Sequence, residues 1–129
     1  MSDRQSRAQR MAKPALACVK SAAASNLAKD YKPRAMAFPT MVLQSGLAQA
    51  VGFLAAKSGK DGKGKAYQQY FDDLAKVAGL PNSEALLQDA LRADLPRYRL
   101  LTRDVLDAAS WLKRFCQSLI NDEGSRNGD

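Results

Sequence analysis

The sequence contains no histidine, only two cysteines and few aromatic residues. Without histidine it cannot form a Ser-His-Asp triad, a Cys-His pair or a histidine-ligated zinc site, so these classes of enzyme and metal protein are excluded. Cys18 and Cys116 stand far apart and form no Cys-x-x-Cys pair, which also excludes a cysteine-ligated metal knuckle. We expect no metal and no cofactor, and we interpret both cysteines as core thiols of a reduced, intracellular protein.

Long apolar runs are absent as well. No stretch reaches the ~18 apolar residues that a membrane-spanning helix needs. The basic segment from Met1 to Arg10 is not followed by an apolar run, which argues against a signal peptide. We therefore expect a cytoplasmic protein. Its 129 residues and average share of hydrophobic residues predict one domain over 1–129, with an ordered core at about 3–121.

The apolar pattern of the first half predicts helices. A period of 3.6 residues recurs, and no alternating run rich in Val, Ile and Thr is present, so we expect an all-α, compact bundle of five to six helices. The first helix is predicted to be capped by Asp3, and Pro14 either kinks it or lies in its first turn. Residues 30–39 are predicted to be a proline-containing connection. A second, largely buried helix is predicted from about Pro39 to Lys57. Phe53 in this helix and Trp111 in the last helix are both predicted to lie in the core.

Gly46 and Gly52 fall inside this second predicted helix. Because a helical glycine costs ~1 kcal/mol relative to alanine, we expect another helix or another chain to pack closely at both points.

The second half predicts three more helices. Residues 58–65 are predicted to form a flexible loop of Gly and Lys, after which a third helix ends at Gly79 to Pro81. Asn82 or Ser83 is predicted to cap a short fourth helix. Residues 95–101 are predicted to turn around Pro96, so that Thr102 caps the last helix, and 122–129 are predicted to fray.

No motif in the chain supports catalysis. Residues 59–66 resemble a phosphate-binding loop, but Ala66 stands where a Ser or Thr should follow Lys65, and no strand precedes the loop. Adjacent carboxylates at Asp72 and Asp73 diverge by ~100° on a helix. The pair Asp104 and Asp107 shares a face, but acidic residues are expected in a first helical turn for the helix dipole alone. We assign no catalytic residue and do not expect an enzyme.

Positive charge is concentrated in the first half of the chain. Up to Lys65 there are 12 basic and 3 acidic residues, and from Ala66 onward there are 8 basic and 10 acidic ones. Such a field attracts a polyanion, although a solvated soluble surface would also explain it. Arg4, Arg7 and Arg10 are spaced to form one ridge on the first helix. Most aromatic residues fall on core stripes, and those that could be free to stack on bases are Tyr31, Tyr98 and Trp111.

Two segments of the sequence carry more specific information about its family than the overall composition does. One covers residues 38–57, with the central sequence Gln-Ser-Gly-Leu-Ala-Gln-Ala-Val-Gly-Phe, and the other covers residues 98–115, ending in Trp-Leu-Lys-Arg-Phe. In order, spacing and total length they resemble the small helical subunit of the type III-B CRISPR effector, the RNA-targeting Cmr complex. That family has a proline-led helix with an Asn/Ser-Gly-Leu centre and a closing lysine, and a last helix that carries Trp-Leu-Lys-Arg-Phe. The resemblance covers roughly residues 4 to 120.

The resemblance implies a non-catalytic subunit of an antiviral ribonucleoprotein. Copies of such a subunit stack head-to-tail along the guide-RNA filament, beside the backbone and large subunits, and contact the phosphates of guide and target RNA. Neither a membrane nor a small-molecule substrate is expected. A free-standing helical protein that binds single-stranded nucleic acid is the alternative.

Five basic residues in or beside the matching segments are the predicted RNA contacts. Lys57, Lys113 and Arg114 match family positions, whereas Arg34 and Arg103 are extrapolated from charge. The competing interpretation for each is a solvated surface charge or a contact with a partner protein.

Overall fold

A computed structural model describes residues 6–121, which form six helices. In chain order these are α1 (Arg7–Ala23), α2 (Ala28–Ser45), α3 (Leu47–Lys57), α4 (Gly62–Val77), α5 (Ser83–Arg92) and α6 (Leu95–Leu119). No strand occurs in this part of the chain, so the predicted all-α class is confirmed. None of these helices is long and apolar enough to cross a membrane. Asp3, the predicted cap, and the predicted frayed tail 122–129 lie outside the described residues.

The core draws buried side chains from all six helices. Helix α6 packs mainly against α1 and α2, and α4 packs against α2, α3 and α5. Tyr31, Phe38 and Tyr70 are among its largest fully buried side chains. The Tyr70 ring meets those of Tyr31 and Phe38 edge-on, with centroids 5.6 Å and 5.8 Å apart. Such edge-to-face contacts add to the stabilisation from apolar burial.

Helix α1 begins at a capping box and continues through a proline. The Ser6 hydroxyl accepts a hydrogen bond from the Gln9 backbone N–H at 3.0 Å, and the Gln9 side chain accepts one from the Ser6 N–H at 2.8 Å. These bonds satisfy the free amides of the first turn. The alternative start near Lys13 is wrong, because the helix already runs from Arg7 through Pro14.

The predicted connection over residues 30–39 is instead part of helix α2. Pro33 and Pro39 both lie inside this helix. Each removes one backbone hydrogen bond, but the helix buries Tyr31, Ala35, Phe38 and Val42 along one stripe. Burial of this stripe stabilises the helix more than the two prolines destabilise it.

The predicted helix from Pro39 to Lys57 is interrupted at Gly46. Gly46 has φ 88° and ψ 160°, a conformation that favours glycine, and it separates α2 from α3. Of the packing predicted at both glycines, residues 6–121 show an ordinary contact with another helix at Gly46 and none at Gly52. A Cβ on Gly46 would lie 3.8 Å from the hydroxyl of Tyr98 on α6, and one on Gly52 would have no atom of another helix within 4 Å.

Helix α3 has a start that its own sequence does not cap. Because its cap residue is Gly46, no side chain there can bind the free amides of the first turn. The hydroxyl of Tyr98 on α6 accepts a hydrogen bond from the Ala48 N–H at 2.9 Å instead. A contact between distant parts of the chain therefore completes this turn.

The connection between α3 and α4 is shorter than predicted. Helix α4 starts at Gly62, so the second half of the predicted loop 58–65 is helical. The Gly59 N–H donates a hydrogen bond to the Gly64 carbonyl at 2.9 Å, and a Cβ on Gly64 would lie 3.0 Å from the Gly59 backbone. The two glycines allow this tight return.

Of the caps predicted for the last two helices, one is confirmed and one is wrong. The Asn82 side chain accepts from the Ala85 N–H at 2.9 Å and caps α5, as predicted. Helix α6 begins at Leu95 rather than at Thr102, because Asp94 accepts from the Arg97 N–H at 3.1 Å and Pro96 lies in the first turn. Proline is favoured there, since the first N–H groups of a helix have no intrahelical partner.

Candidate nucleic-acid interface

The five predicted RNA-contact residues lie on three helices. Arg34 is on α2, Lys57 ends α3, and Arg103, Lys113 and Arg114 are on α6. Within residues 6–121 none of the five forms an ion pair with a carboxylate. Their charges are therefore not neutralised by any described part of the chain, which is what binding to phosphate requires.

Arg34 is held against an aromatic ring. Its guanidinium carbon lies 4.5 Å from the centroid of the Tyr67 ring, and its Nη1 donates a hydrogen bond to the Tyr67 hydroxyl. Helix α4 provides this ring, so packing of α4 on α2 fixes the orientation of the guanidinium. The remaining N–H groups of the fork keep their capacity to bind an anion.

Lys57 joins the same group of side chains through a second ring. The Phe53 ring meets Tyr67 edge-on with centroids 5.9 Å apart, and the Lys57 Nζ lies 5.7 Å from the Phe53 centroid. We call Arg34, Tyr67, Phe53 and Lys57 the cation–aromatic cluster. It has a cation at each end and two rings between them.

The three predicted residues on α6 lie away from this cluster. No hydrogen bond, ion pair or ring contact among the described residues joins the two groups. Arg103 and Arg114 are eleven positions apart, which places them on nearly the same helix face about 16 Å apart, with Lys113 rotated ~80° from Arg103. The structure thus brings Arg34 and Lys57 into one cluster, whereas Arg103 and Arg114 share a helix face without being close to each other.

Sequence reasoning missed Arg99. It was assigned to a turn, but α6 already starts at Leu95, so exposed Arg99 lies one helical turn before Arg103 and close to the same face. The first-turn preference for proline at Pro96 was the available signal.

The predicted arginine ridge of α1 is not a free cationic surface. Arg7 Nη1 forms an ion pair with Asp104 Oδ1 at 3.0 Å and a second one with Asp107. Asp104 and Asp107 therefore bind Arg7. They do not lie in the first turn of the last helix, because α6 starts two turns earlier. Arg4 lies outside the described residues.

The aromatic predictions need correction in two places. Tyr31, proposed as free, is fully buried, and Tyr98 is half-buried with its hydroxyl engaged by Ala48. Phe53, assigned to the core, is 36% exposed. Trp111 is partly buried against the core and stacks on Phe115 with centroids 5.4 Å apart. Phe53 was misassigned because a helix that is apolar on nearly all sides does not show which side faces solvent.

Comparison with known proteins identifies the family of this chain. The family model for CRISPR-associated protein (Cas_Cmr5) matches residues 7–119. The chain belongs to the Cmr5 family. A curated relative, the CRISPR system Cmr subunit Cmr5 of Thermus thermophilus, is 38% identical over 117 residues, which cover 90% of this chain and 97% of that protein. The crystal structure of a Cmr5 family protein from the same organism matches with a TM-score of 0.83 and 37% identity, over 91% of this chain and all of the other.

The match to the Cmr5 family spans all five predicted RNA-contact residues and the cation–aromatic cluster. It confirms the resemblance to the Cmr small subunit, which rested on residues 38–57 and 98–115. The correspondence with the solved Cmr5 family structure extends over the whole helical body, so the arrangement of the six helices is that of the family.

One buried polar cluster in this Cmr5 family chain has features that often mark active sites. Asp73 is 2% exposed and accepts hydrogen bonds from the Tyr31 hydroxyl at 2.7 Å and from Gln69 Nε2 at 2.8 Å. Burial raises the pKa of Asp73 above its ordinary value of 3.8, and these hydrogen bonds act in the opposite direction. Burial also raises the pKa of Cys18 to about 12, with the nearby Asp73 contributing.

The two side chains at the centre of this cluster are withdrawn from solvent, and the thiol beside them is half-buried. Asp73 and Tyr31 are both buried, and desolvation keeps the neighbouring thiol protonated, so it is a poor nucleophile. Asp72 points elsewhere and accepts from the Ser83 N–H at 3.0 Å. Within residues 6–121 no group of three or more Cys, Asp or Glu could hold a metal ion. The hydrogen bond from Tyr31 to Asp73 joins α2 to α4.

Proposed function

We propose that this chain is a non-catalytic structural subunit of a type III-B CRISPR ribonucleoprotein, in which it helps to hold target RNA. The observation that carries the proposal is that the five predicted contact residues form no ion pair with a described carboxylate. Arg34, Lys57, Arg103, Lys113 and Arg114 are unpaired within residues 6–121, in a chain with net charge +7 that belongs to the Cmr5 family. Unpaired cations on a rigid helical body fit contact with phosphates, which positions a strand without reading its sequence.

The proposed partners follow from the family. The Thermus thermophilus relative is named as a subunit of the Cmr system, and we extend that role to this chain. Its neighbours would be the backbone and large subunits, together with copies of itself stacked head-to-tail along the guide RNA. Such a repeating, non-reciprocal contact builds a filament. The proposed location is the cytoplasm, where the target RNA is met.

The RNA contact is tested by the salt dependence of target binding. The five residues are replaced together by alanine, and the complex assembled with the other Cmr-type subunits and guide RNA is titrated with target RNA at several salt concentrations. Each lost phosphate contact should reduce the slope of log affinity against log salt by about 0.7, so five should reduce it by about 3 to 4.

The control removes the same charge from other exposed positions. We would replace Lys13, Lys20, Lys29, Lys76 and Arg92 by alanine, since all five are exposed and none is a predicted contact. A similar slope change in both variants would mean that only the overall field acts. An unchanged slope in the first variant would refute the proposed contacts.

The assembly role is tested separately by pull-down of the tagged chain from its native host. Larger partner proteins and short RNAs that begin with a CRISPR repeat remnant are expected. Recovery with mixed cellular RNA, together with strong binding of single-stranded RNA by the isolated chain, would favour the free-standing binder instead.

A further inference from the structure

One aromatic ring is more open to solvent than the others in the described chain. Among the aromatic residues at positions 6–121, Phe53 is the most exposed, at 36%. Proteins that bind single-stranded nucleic acid use exposed rings of this kind as platforms on which a base stacks. Phe53 therefore needs an explanation beyond packing.

Phe53 has cations near it as well as apolar side chains. Lys57 and Arg34 stand at the two ends of the cation–aromatic cluster, and neither forms an ion pair within residues 6–121. In sequence, the segment 57–65 contains four lysines and one aspartate. A protein that covered Phe53 with apolar side chains would have to desolvate Lys57 and Arg34, whereas an RNA strand would bind them.

The space next to the ring is open. Phe53 lines a surface depression together with Ala48, Gln49, Gly52 and Leu91. Apart from its two chain neighbours and the nearby backbone of its own helix, no atom lies within 4 Å of the position that a Cβ on Gly52 would take, so no other helix of the described chain fills the depression at this point. The amide of exposed Gln49 offers both a donor and an acceptor to the edge of a base.

We propose that the cation–aromatic cluster binds one unpaired nucleotide of the target RNA. The base stacks on Phe53, and Lys57 and Arg34 bind the adjacent phosphates, while Tyr67 holds both Phe53 and Arg34 in place. This inference rests on the proposed function and goes beyond it, because it adds base stacking to phosphate contact and names the ring that performs it.

The test is photocrosslinking in the assembled complex. Target RNA that carries 5-iodouridine is bound to the complex and irradiated, and crosslinked peptides are identified by mass spectrometry. The expected result is a uridine adduct on Phe53, since a halogenated uridine reacts with an aromatic ring on which it is stacked. The absence of an adduct on Phe53, with the RNA bound, would overturn the inference.

Affinity measurements provide the second readout. Replacement of Phe53 by Leu keeps an apolar side chain but removes the aromatic face, and it should weaken target binding about 5- to 150-fold, the range for loss of one stacked base. Phe53→Tyr should restore binding to within about twofold, because it restores the ring. Lys57→Gln should reduce the salt slope by about 0.7.

Leu43→Ala is the matched control, because Leu43 is 73% exposed but neither lines the depression nor has an aromatic face. It should leave RNA affinity unchanged. If it weakened binding as much as Phe53→Leu, loss of exposed apolar surface in general would account for the effect and the inference would be wrong. If the five-alanine variant lost its salt slope while Phe53→Leu bound normally, stacking would be refuted and phosphate contact retained. If both variants behaved as the unsubstituted complex, the proposed function would fail as well.

Discussion

Two neighbouring tyrosines allow a matched test of how a buried hydroxyl affects stability. The Tyr31 hydroxyl donates a hydrogen bond to Asp73 Oδ2 at 2.7 Å. The Tyr70 ring lies 5.6 Å away between centroids, but its buried hydroxyl has no hydrogen-bond partner among residues 6–121. The same replacement, tyrosine to phenylalanine, removes one oxygen atom at each position and should have opposite effects.

The magnitudes follow from these environments. A hydrogen bond to a charged acceptor contributes about 1.5–3 kcal/mol, so Tyr31→Phe should lower the free energy of unfolding by about 2 kcal/mol. A buried polar group without a partner is destabilising by about 1–3 kcal/mol, so Tyr70→Phe should leave stability unchanged or raise it by about 1 kcal/mol. Both rings keep their edge-to-face contact, so little other packing changes.

The effect of Tyr31→Phe should depend on pH. Burial raises the pKa of Asp73, so the folded protein retains this proton to higher pH than the unfolded chain, and the group destabilises the fold as pH rises from 3.8 through its folded pKa. The Tyr31 hydrogen bond opposes this shift, because it favours the carboxylate. Loss of that bond raises the pKa further. The cost of Tyr31→Phe should therefore be greatest above the folded pKa and smaller once Asp73 is protonated in both proteins.

The assay is urea unfolding followed by far-UV circular dichroism, at neutral pH and in the acid range. The reasoning would be refuted if Tyr70→Phe destabilised the protein as much as Tyr31→Phe. It would also be refuted if the difference between the unsubstituted protein and Tyr31→Phe stayed the same at every pH.

Further substitutions test the helix boundaries. Gly46→Ala should lower the free energy of unfolding by about 1–3 kcal/mol, because alanine is strained at φ 88°. Gly52→Ala should raise it by about 0.5–1 kcal/mol, because Gly52 has an ordinary helical conformation with open space beside it. Equal effects of the two substitutions in thermal unfolding would contradict this reasoning. Asp94→Ala should cost about 1 kcal/mol and speed hydrogen exchange of the Arg97 amide, and normal exchange there would show that the cap is not needed.

The sequence predicted those helices whose apolar period and local signals agree. Helix α5 has a clear stripe and an asparagine cap, and α4 ends at Val77, two residues before Gly79, whose φ of 97° is the left-handed turn that the glycine signal indicates. The errors occur where a proline or glycine is compatible with more than one local backbone structure. Pro33 reads as a break, but the buried stripe around Phe38 keeps α2 helical. Gly46 reads as a tolerated helical glycine, and only its positive φ shows that the chain turns there.

The candidate site was predictable in its residue types but not in its grouping. Charge and resemblance selected Arg34 and Lys57, yet their connection runs through Tyr67, which comes from a third helix. Likewise, no local pattern indicates that Arg7 is neutralised by Asp104, 97 positions away. Contacts between distant segments decide which charges remain available, and a single sequence does not display them.

The hydrogen bond from Ala48 to Tyr98 has a consequence for the order of folding. The two residues are 50 positions apart, and the bond closes the first turn of α3, which has no side-chain cap of its own. Contacts between distant residues form only after the intervening chain has been brought together, which slows the steps that depend on them. We therefore expect the Ala48 amide, at the start of α3, to gain its protection from hydrogen exchange only once α6 is in place.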